Sequence, residues 1–291
     1  MKGILLLAYG TPRSLDEVEE YFTHIRRGRR PSDEEIEELR EKYIRIGGTS
    51  PLYEITYNQA KALEKLINQK VYVGFKHSRP FIRETIEKMK EDGYKEITAI
   101  VLAPHYSKMS VEEYIKYADV DGIDIKFIKS WHLEEMFIET WIDLINEALN
   151  KFNKDEIENL FYIFSAHSLP KRILEWNDPY PHQLLETTLE IVKKLNIRNW
   201  TLCYQSQSKT GEEWLGPDIL DVIEKLSKDG YKSILVCPIG FVCDHLEVLY
   251  DIDIECKEKA KELNIHLERT NMPNTHPKFI KALVNLVNKT L

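Results

Sequence analysis

Glu247, Asp251 and Glu255 recur every four residues within "GFVCDHLEVLYDIDIECKEKAKEL" (240–263). On a helix this spacing stacks three carboxylates along one face with no cation at the positions between them, and like charges at i,i+4 are mutually destabilising. One reading is an exposed acidic helix balanced by Lys257, Lys259 and Lys261, although those lysines mostly fall on other faces. However, Val248, Leu249, Ile252 and Ile254 make much of the helix apolar. A partly buried line of carboxylates calls for protons or a cation, and hard divalent metals take oxygen ligands. The second reading is therefore a metal route leading to Glu247, the carboxylate nearest the preceding apolar run.

A second candidate is His167, which leaves an apolar run in "FSAHSLPKRI". A lone histidine is by default structural. Here its small neighbours leave the ring accessible, and imidazole accepts protons near pH 7 and ligates iron. No G-x-S-x-G elbow accompanies it. His245 and Glu247 lie two apart, which on a helix turns them in different directions. "THIRRGRRP" (23–31) gathers Arg26, Arg27, Arg29 and Arg30. They form either a solvated helix end or a site for carboxylates, whose geometry the guanidinium fork matches. Phosphate is the rival anion, but no P-loop or G-x-G-x-x-G occurs. "KYIRIGGTSPL" (42–52) adds Lys42, Tyr43 and Ser50 around a Gly-Gly turn, and the whole set suggests an acidic small molecule. Trp214 in "EEWLGPD" is either an apolar wall or a core residue.

These residues need a scaffold. The chain of 291 residues suits one large or two ordinary domains, and its net charge of −8 argues against a nucleic-acid partner. "MKGILLLAYG" reads as a buried first strand rather than a leader, and no apolar run approaches the roughly 18 residues of a membrane span. Cys203, Cys237, Cys243 and Cys256 form no C-x-x-C pair, which fits reduced thiols and a cytoplasmic location. Apolar runs at 3–9, 71–77, 97–104, 124–130, 160–166, 200–206, 233–240 and 264–269 alternate with amphipathic stretches such as 58–69, 80–93, 136–152 and 217–230. That is the pattern of βαβ units with parallel sheets. "DG-Y-K" closes a helix before a strand at both 92–95 and 229–232, so two similar α/β halves of four strands each are expected. Parallel sheets bind ligands beyond their carboxyl strand ends. Tyr9, Lys76, His77 and His105 stand at such ends in the first half, and His167, Gln205 and "GFVCDHLE" in the second. A cleft between the halves follows.

"AYGTP", "HIRRGR", "IGGTSPL", "GFKH", "VLAPHYS", "SAHSLP", "YQSQS…WLGPD", "CPIGFVCDHLEVLYDIDIEC" and "MPNTHPKFI" occur in the order found in ferrochelatases, over nearly the whole chain. The sequence most resembles the compact coproporphyrin-using branch, in which a tyrosine stands where Tyr9 does. The resemblance implies two Rossmann-like domains, each a four-stranded parallel sheet flanked by helices, enclosing a porphyrin cleft. They would be residues 1–132, with 272–291 packing back on them, and residues 133–271. It implies a lyase that inserts Fe²⁺ into coproporphyrin III, with protoporphyrin IX as the alternative substrate. A chelatase for another metal and a non-catalytic heme carrier with Tyr9 as iron ligand stand as rival functions. His167 and Glu247 would be catalytic and bind metal, Tyr9 would be an axial ligand on the opposite face, and Asp251 and Glu255 an outer relay. Arg26, Lys42, Tyr43, Ser50 and Tyr114 would meet the propionates, and Lys76, His77 and Trp214 would line the cleft. The family often has arginine at the position of Lys42, so that contact is expected to be weaker or differently placed. Iron would be a substrate, with no prosthetic group and no iron–sulfur cluster. A monomer is expected, with a transient partner receiving the product.

Overall fold

The computed structural model describes residues 2–208 and 211–290; Met1 and Leu291, the outer ends of the segments assigned to the first domain, lie outside them. Eight strands form: β1 (Lys2–Ala8), β2 (Val71–Phe75), β3 (Glu96–Val101), β4 (Asp124–Ile128), β5 (Phe161–His167), β6 (Trp200–Gln205), β7 (Ser233–Cys237) and β8 (His266–Arg269). They make two four-stranded sheets with orders β2-β1-β3-β4 and β6-β5-β7-β8, all pairs parallel. The same strand order in both halves makes this a pair of similar doubly wound α/β units, as the alternating pattern predicts.

The apolar runs are strands because both faces of each sheet are covered. In β1, Ile4, Leu6 and Ala8 pack into one cluster while Leu5 and Leu7 pack into another on the opposite face. A continuous apolar run is the signature of a parallel strand buried on both sides, and each such side chain contributes roughly 2 kcal/mol by burial. The two "DG-Y-K" segments end their helices identically. Gly93 and Gly230 adopt φ of 90° and 93°, and the following tyrosine amides reach back to Met89 O (3.1 Å) and Leu226 O (3.0 Å). This left-handed closure favours glycine and delivers β3 and β7 to the interior.

The halves meet along a hydrogen-bonded seam. His105 Nε2 lies 2.9 Å from Thr187 Oγ1, the Tyr106 amide donates to Gln183 Oε1 (2.7 Å), and Asp178 accepts from Ser107 Oγ (3.0 Å) and the Lys108 amide (2.8 Å). His105 is therefore not a cleft residue, as its strand-end position predicts, but a buried member of this seam. Burial, and secondarily His132, pulls its pKa well down, so it serves as a neutral bridge. The terminal helix Pro277–Asn288 packs against the helices Glu135–Ala148 and Leu52–Ile67. Among the described residues no helix is long and apolar enough to cross a membrane.

The turn after β7 passes directly beneath the end of β5. Gly240 donates its amide to Ser165 O (3.1 Å), and a methyl group on Gly240 would sit 2.5 Å from Ala166 Cβ and 2.8 Å from its Cα. Overpacking of this kind is destabilising by about 1–3 kcal/mol. Gly240→Ala should lower the urea midpoint accordingly and disturb the adjacent His167; an unchanged midpoint would refute the close-approach account.

Candidate functional site

His167 is the last residue of β5 and stands in register with Gln205 at the end of β6. Its Nδ1 is hydrogen-bonded to the Ser168 carbonyl, and the Tyr180 hydroxyl donates to the His167 carbonyl (2.9 Å). With Nδ1 thus engaged, Nε2 points at Glu247, 3.4 Å from Oε1, both side chains being 32% exposed. Desolvation alone would lower the imidazole pKa. The Glu247 carboxylate and the Ser168 carbonyl outweigh it, and His167 is pushed up to about 9. Glu247 is partly desolvated too, yet His167 and then His245 hold it well below the usual carboxylate range. The resting pair is therefore an imidazolium and a carboxylate. The Trp214 ring lies 6.5 Å from that of His167, centre to centre.

The helical separation expected of His245 and Glu247 does not occur. His245 precedes the helix Leu246–Tyr250 in an extended conformation (φ −160°, ψ 179°), and its Nε2 comes within 3.5 Å of Glu247 Oε2. Spacing rules for a helix do not reach a residue at its cap. Nor is the acid row carried by a uniform α-helix. Asp251–Cys256 is π-helical, and α-helix resumes at Lys257–Glu262. Such insertions recur at functional sites.

Asp251 is only 8% exposed and accepts hydrogen bonds from Gln205 Nε2 (3.2 Å) and Ser206 Oγ. Gln205 Nε2 also donates to the Glu247 carbonyl (3.0 Å), while its Oε1 accepts from Ser165 Oγ (2.9 Å). Burial, then the Glu247 charge, raises Asp251 to about 6. Glu255 is raised by burial, with Lys42 and Arg45 opposing. Thus the row is not without cations: they come from the facing helix Asp33–Arg45 rather than from its own. Lys42 Nζ lies 4.8 Å above the Tyr250 ring, and Arg45 reaches the Tyr250 hydroxyl (3.5 Å) and pairs with Glu258. Asp253 points elsewhere, to Arg269 (2.8 Å), which also binds Asp244 (2.8 Å). Asp244 and Asn274 exchange two further hydrogen bonds, at 2.8 and 2.7 Å.

In the first half, Tyr9 is 39% exposed and packs on His77 with ring centres 4.6 Å apart. Desolvation, then the Glu247 charge, raises the Tyr9 phenol above its ordinary value. His77 Nδ1 lies 2.9 Å from His24 Nδ1. Lys76 Nζ sits among the rings of Tyr9, Tyr114 and Tyr117 at 5.3–5.9 Å. Burial draws Lys76 down to about 8, with Glu113 opposing, and draws His77 to about 3, aided by Lys76 and His24. The arginine cluster is paired on its own surface: Arg26 with Glu35 (2.6 Å), Arg27 with Glu113 (3.2 Å), and Arg30 with Glu19 and Asp33 (2.5 and 2.7 Å). Tyr43 is buried with its hydroxyl 3.2 Å from Thr11 Oγ1, and buried Ser50 accepts from the Leu52 amide (3.3 Å).

The structure thus brings together His167, Glu247, Asp251 and Trp214 in the second half, and Tyr9, Lys76, His77 and Tyr114 in the first. It sets Arg26 in a surface ion pair and Lys42 beside the acid row. Three contributors are not read from sequence: His245, set aside on helical spacing, and Arg269 and Asn274, which no local pattern marks. Gln205 is visible there only as one polar strand end among several.

The sequence model described as Ferrochelatase matches residues 1–291. The coproporphyrin III ferrochelatase of Halalkalibacterium halodurans is 46% identical, covering 99% of this chain and 97% of its own. That of Oceanobacillus iheyensis is 45% identical over 99% and 96%, respectively. Among solved structures, SirB from Bacillus subtilis with Fe³⁺ superposes with a TM-score of 0.64 at 14% identity, over 100% of this chain and 95% of that one. CbiX, a terminal enzyme of siroheme biosynthesis, superposes with a TM-score of 0.57 at 10% identity, over 99% of each chain. The latter two establish the fold. The match along the entire chain, together with close relatives of nearly equal length, establishes the family: the chain belongs to the ferrochelatases.

Proposed function

We propose that this protein is a lyase that inserts Fe²⁺ into coproporphyrin III, giving coproheme III and two protons. The observation that carries the reading is the His167–Glu247 pair at the carboxyl end of β5, with both side chains partly exposed. The substrate follows from relatives named for coproporphyrin III. Iron is a substrate, no prosthetic group takes part, and the chain acts as a cytoplasmic monomer that passes its product to a transient partner. Residues 1–132 and 133–271 are its two domains, with 272–291 belonging to the first.

A flat porphyrin presents two N–H groups and two lone pairs in one plane, so it must bend to admit a metal. A cleft that binds the bent ring better than the flat one lowers the barrier by differential binding. Asp251 and Glu255 deliver Fe²⁺ to Glu247. The ion then competes with the His167 proton for the same carboxylate, freeing the imidazole to accept a pyrrole proton. Tyr9 meets the ring from the other face. Arg26, Tyr43, Ser50 and Tyr114 receive propionates, while Lys76, His77 and Trp214 complete the walls.

The buried charge of Asp251 supports a role as carrier of cations, because folding alone gains nothing from it. Its pKa rises from 3.8 to about 6 on folding. A carboxylate raised in this way destabilises the native state fully above pH 6, progressively less down to 3.8, and not at all below. Asp251→Asn should therefore stabilise the protein by roughly 3 kcal/mol at pH 7.5 and leave it nearly unchanged near pH 3.5; urea titrations at both values check this.

His167→Ala should reduce insertion at least about 100-fold, the lower range for a lost acid–base group, while porphyrin quenching of tryptophan fluorescence persists. Retained turnover would remove His167 from its role. Anaerobic Fe²⁺ insertion into coproporphyrin III and protoporphyrin IX, compared side by side by absorbance, tests the substrate. Preference for coproporphyrin supports the proposal and preference for protoporphyrin overturns its substrate. Binding of both without insertion indicates a carrier.

A further inference from the structure

We infer that His24 is a positioning residue for Tyr9. Through its hydrogen bond to His77 it fixes the ring on which Tyr9 packs, and so sets how the tyrosine oxygen is presented to the metal. The inference rests on the reading of Tyr9 as the ligand on the face opposite His167 and Glu247.

His24 stands in the last turn of the helix Val18–Ile25, away from any strand end. Its ring is partly buried and stacks on Phe81, with centres 4.8 Å apart and planes inclined by 16°. Its Nδ1 lies 2.9 Å from Nδ1 of His77. His77 is buried, and its own ring meets that of Tyr9 at 4.6 Å, centre to centre. The His77 amide also donates to the Tyr9 carbonyl (2.9 Å). Tyr117 borders both imidazoles, 6.2 Å from His24 and 6.0 Å from His77.

Among the described residues no hydrogen bond holds the Tyr9 hydroxyl, so the direction of its ring is left to packing. The packing partner must then be fixed itself. An imidazole turns about its outer side-chain torsion with only a broad preference, and burial alone does not choose between its two edges. The contact between the two Nδ1 atoms does choose, because one nitrogen must donate and the other accept. His24 is in turn held flat against Phe81. Constraint thus passes from Phe81 to His24, from His24 to His77, and from His77 to Tyr9.

The test uses ferric coproporphyrin III bound to the protein. Electron paramagnetic resonance reports the axial ligand through the symmetry of the high-spin iron signal, and quenching of tryptophan fluorescence reports affinity. Tyr9→Phe is the reference and should remove the wild-type signal. His24→Phe keeps a ring against Phe81 and deletes the nitrogen. It should replace the single wild-type signal by a mixture and weaken binding roughly three- to tenfold, the reach of one neutral hydrogen bond. His24→Asn returns a polar atom near the place of Nδ1 and should restore a single signal close to wild type. Wild-type signal and affinity in a folded His24→Phe protein overturn the inference. Equal losses in His24→Phe and His24→Asn overturn it as well, since they mark general packing rather than the hydrogen bond. If Tyr9→Phe itself leaves the signal unchanged, Tyr9 is not an iron ligand, and the reading beneath the inference fails with it.

Discussion

The buried amide of Gln205 fixes the distance between His167 and Glu247. It is anchored from below by Ser165 and directs its donors to the Glu247 carbonyl and the Asp251 carboxylate. His167 lies beside it in register across the sheet. One side chain therefore ties the strand that carries the imidazole to the helix that carries the acids. Buried amides are kept only when their hydrogen bonds are satisfied. Removing this one would cost the Asp251 carboxylate and the Glu247 carbonyl one donor each, leaving the first to Ser206 and the second to the Asp251 amide, and would cut the tie between strand and helix.

Around that anchor the second half uses charge against charge. The segment from Asp244 to Asp253 is gripped at both ends by a single guanidinium, that of Arg269, and Asn274 holds Asp244 from the other side. Glu247 and Asp251 lie inside the bracketed span. The π-helical turn Asp251–Cys256 begins there, where a local departure from α geometry is supported by partners on several sides. On the first half the corresponding work is done by aromatic rings, with Lys76 enclosed by three tyrosines. The strand-end surfaces of the two halves thus differ in kind: one polar and acidic, one aromatic and weakly basic.

Much of the scaffold is legible in sequence because its determinants are local. Continuous apolar runs mark strands buried on two faces, and "DG-Y-K" encodes a left-handed helix end twice over. His167 and Glu247 are legible because each follows a strand in an unusual context. What escapes is tertiary. His105 has the same strand-end placement as His77, and only the seam with Thr187 tells them apart. His245 escapes because helical spacing does not govern a residue outside the helix. The cations that balance the acid row lie about 200 residues away in sequence, where no periodicity can reveal them.

Around Asp178 the seam between the halves is built from uncharged donors and acceptors, while Arg45 also crosses between the halves to Glu258 in an ion pair. The arginines of the 23–31 segment, in contrast, are held by exposed ion pairs. Salt screens the second kind of contact far more than the first. Ionic strength thus acts selectively on this molecule. It loosens the ion-paired arginine segment far more than the hydrogen bonds that gather around Asp178.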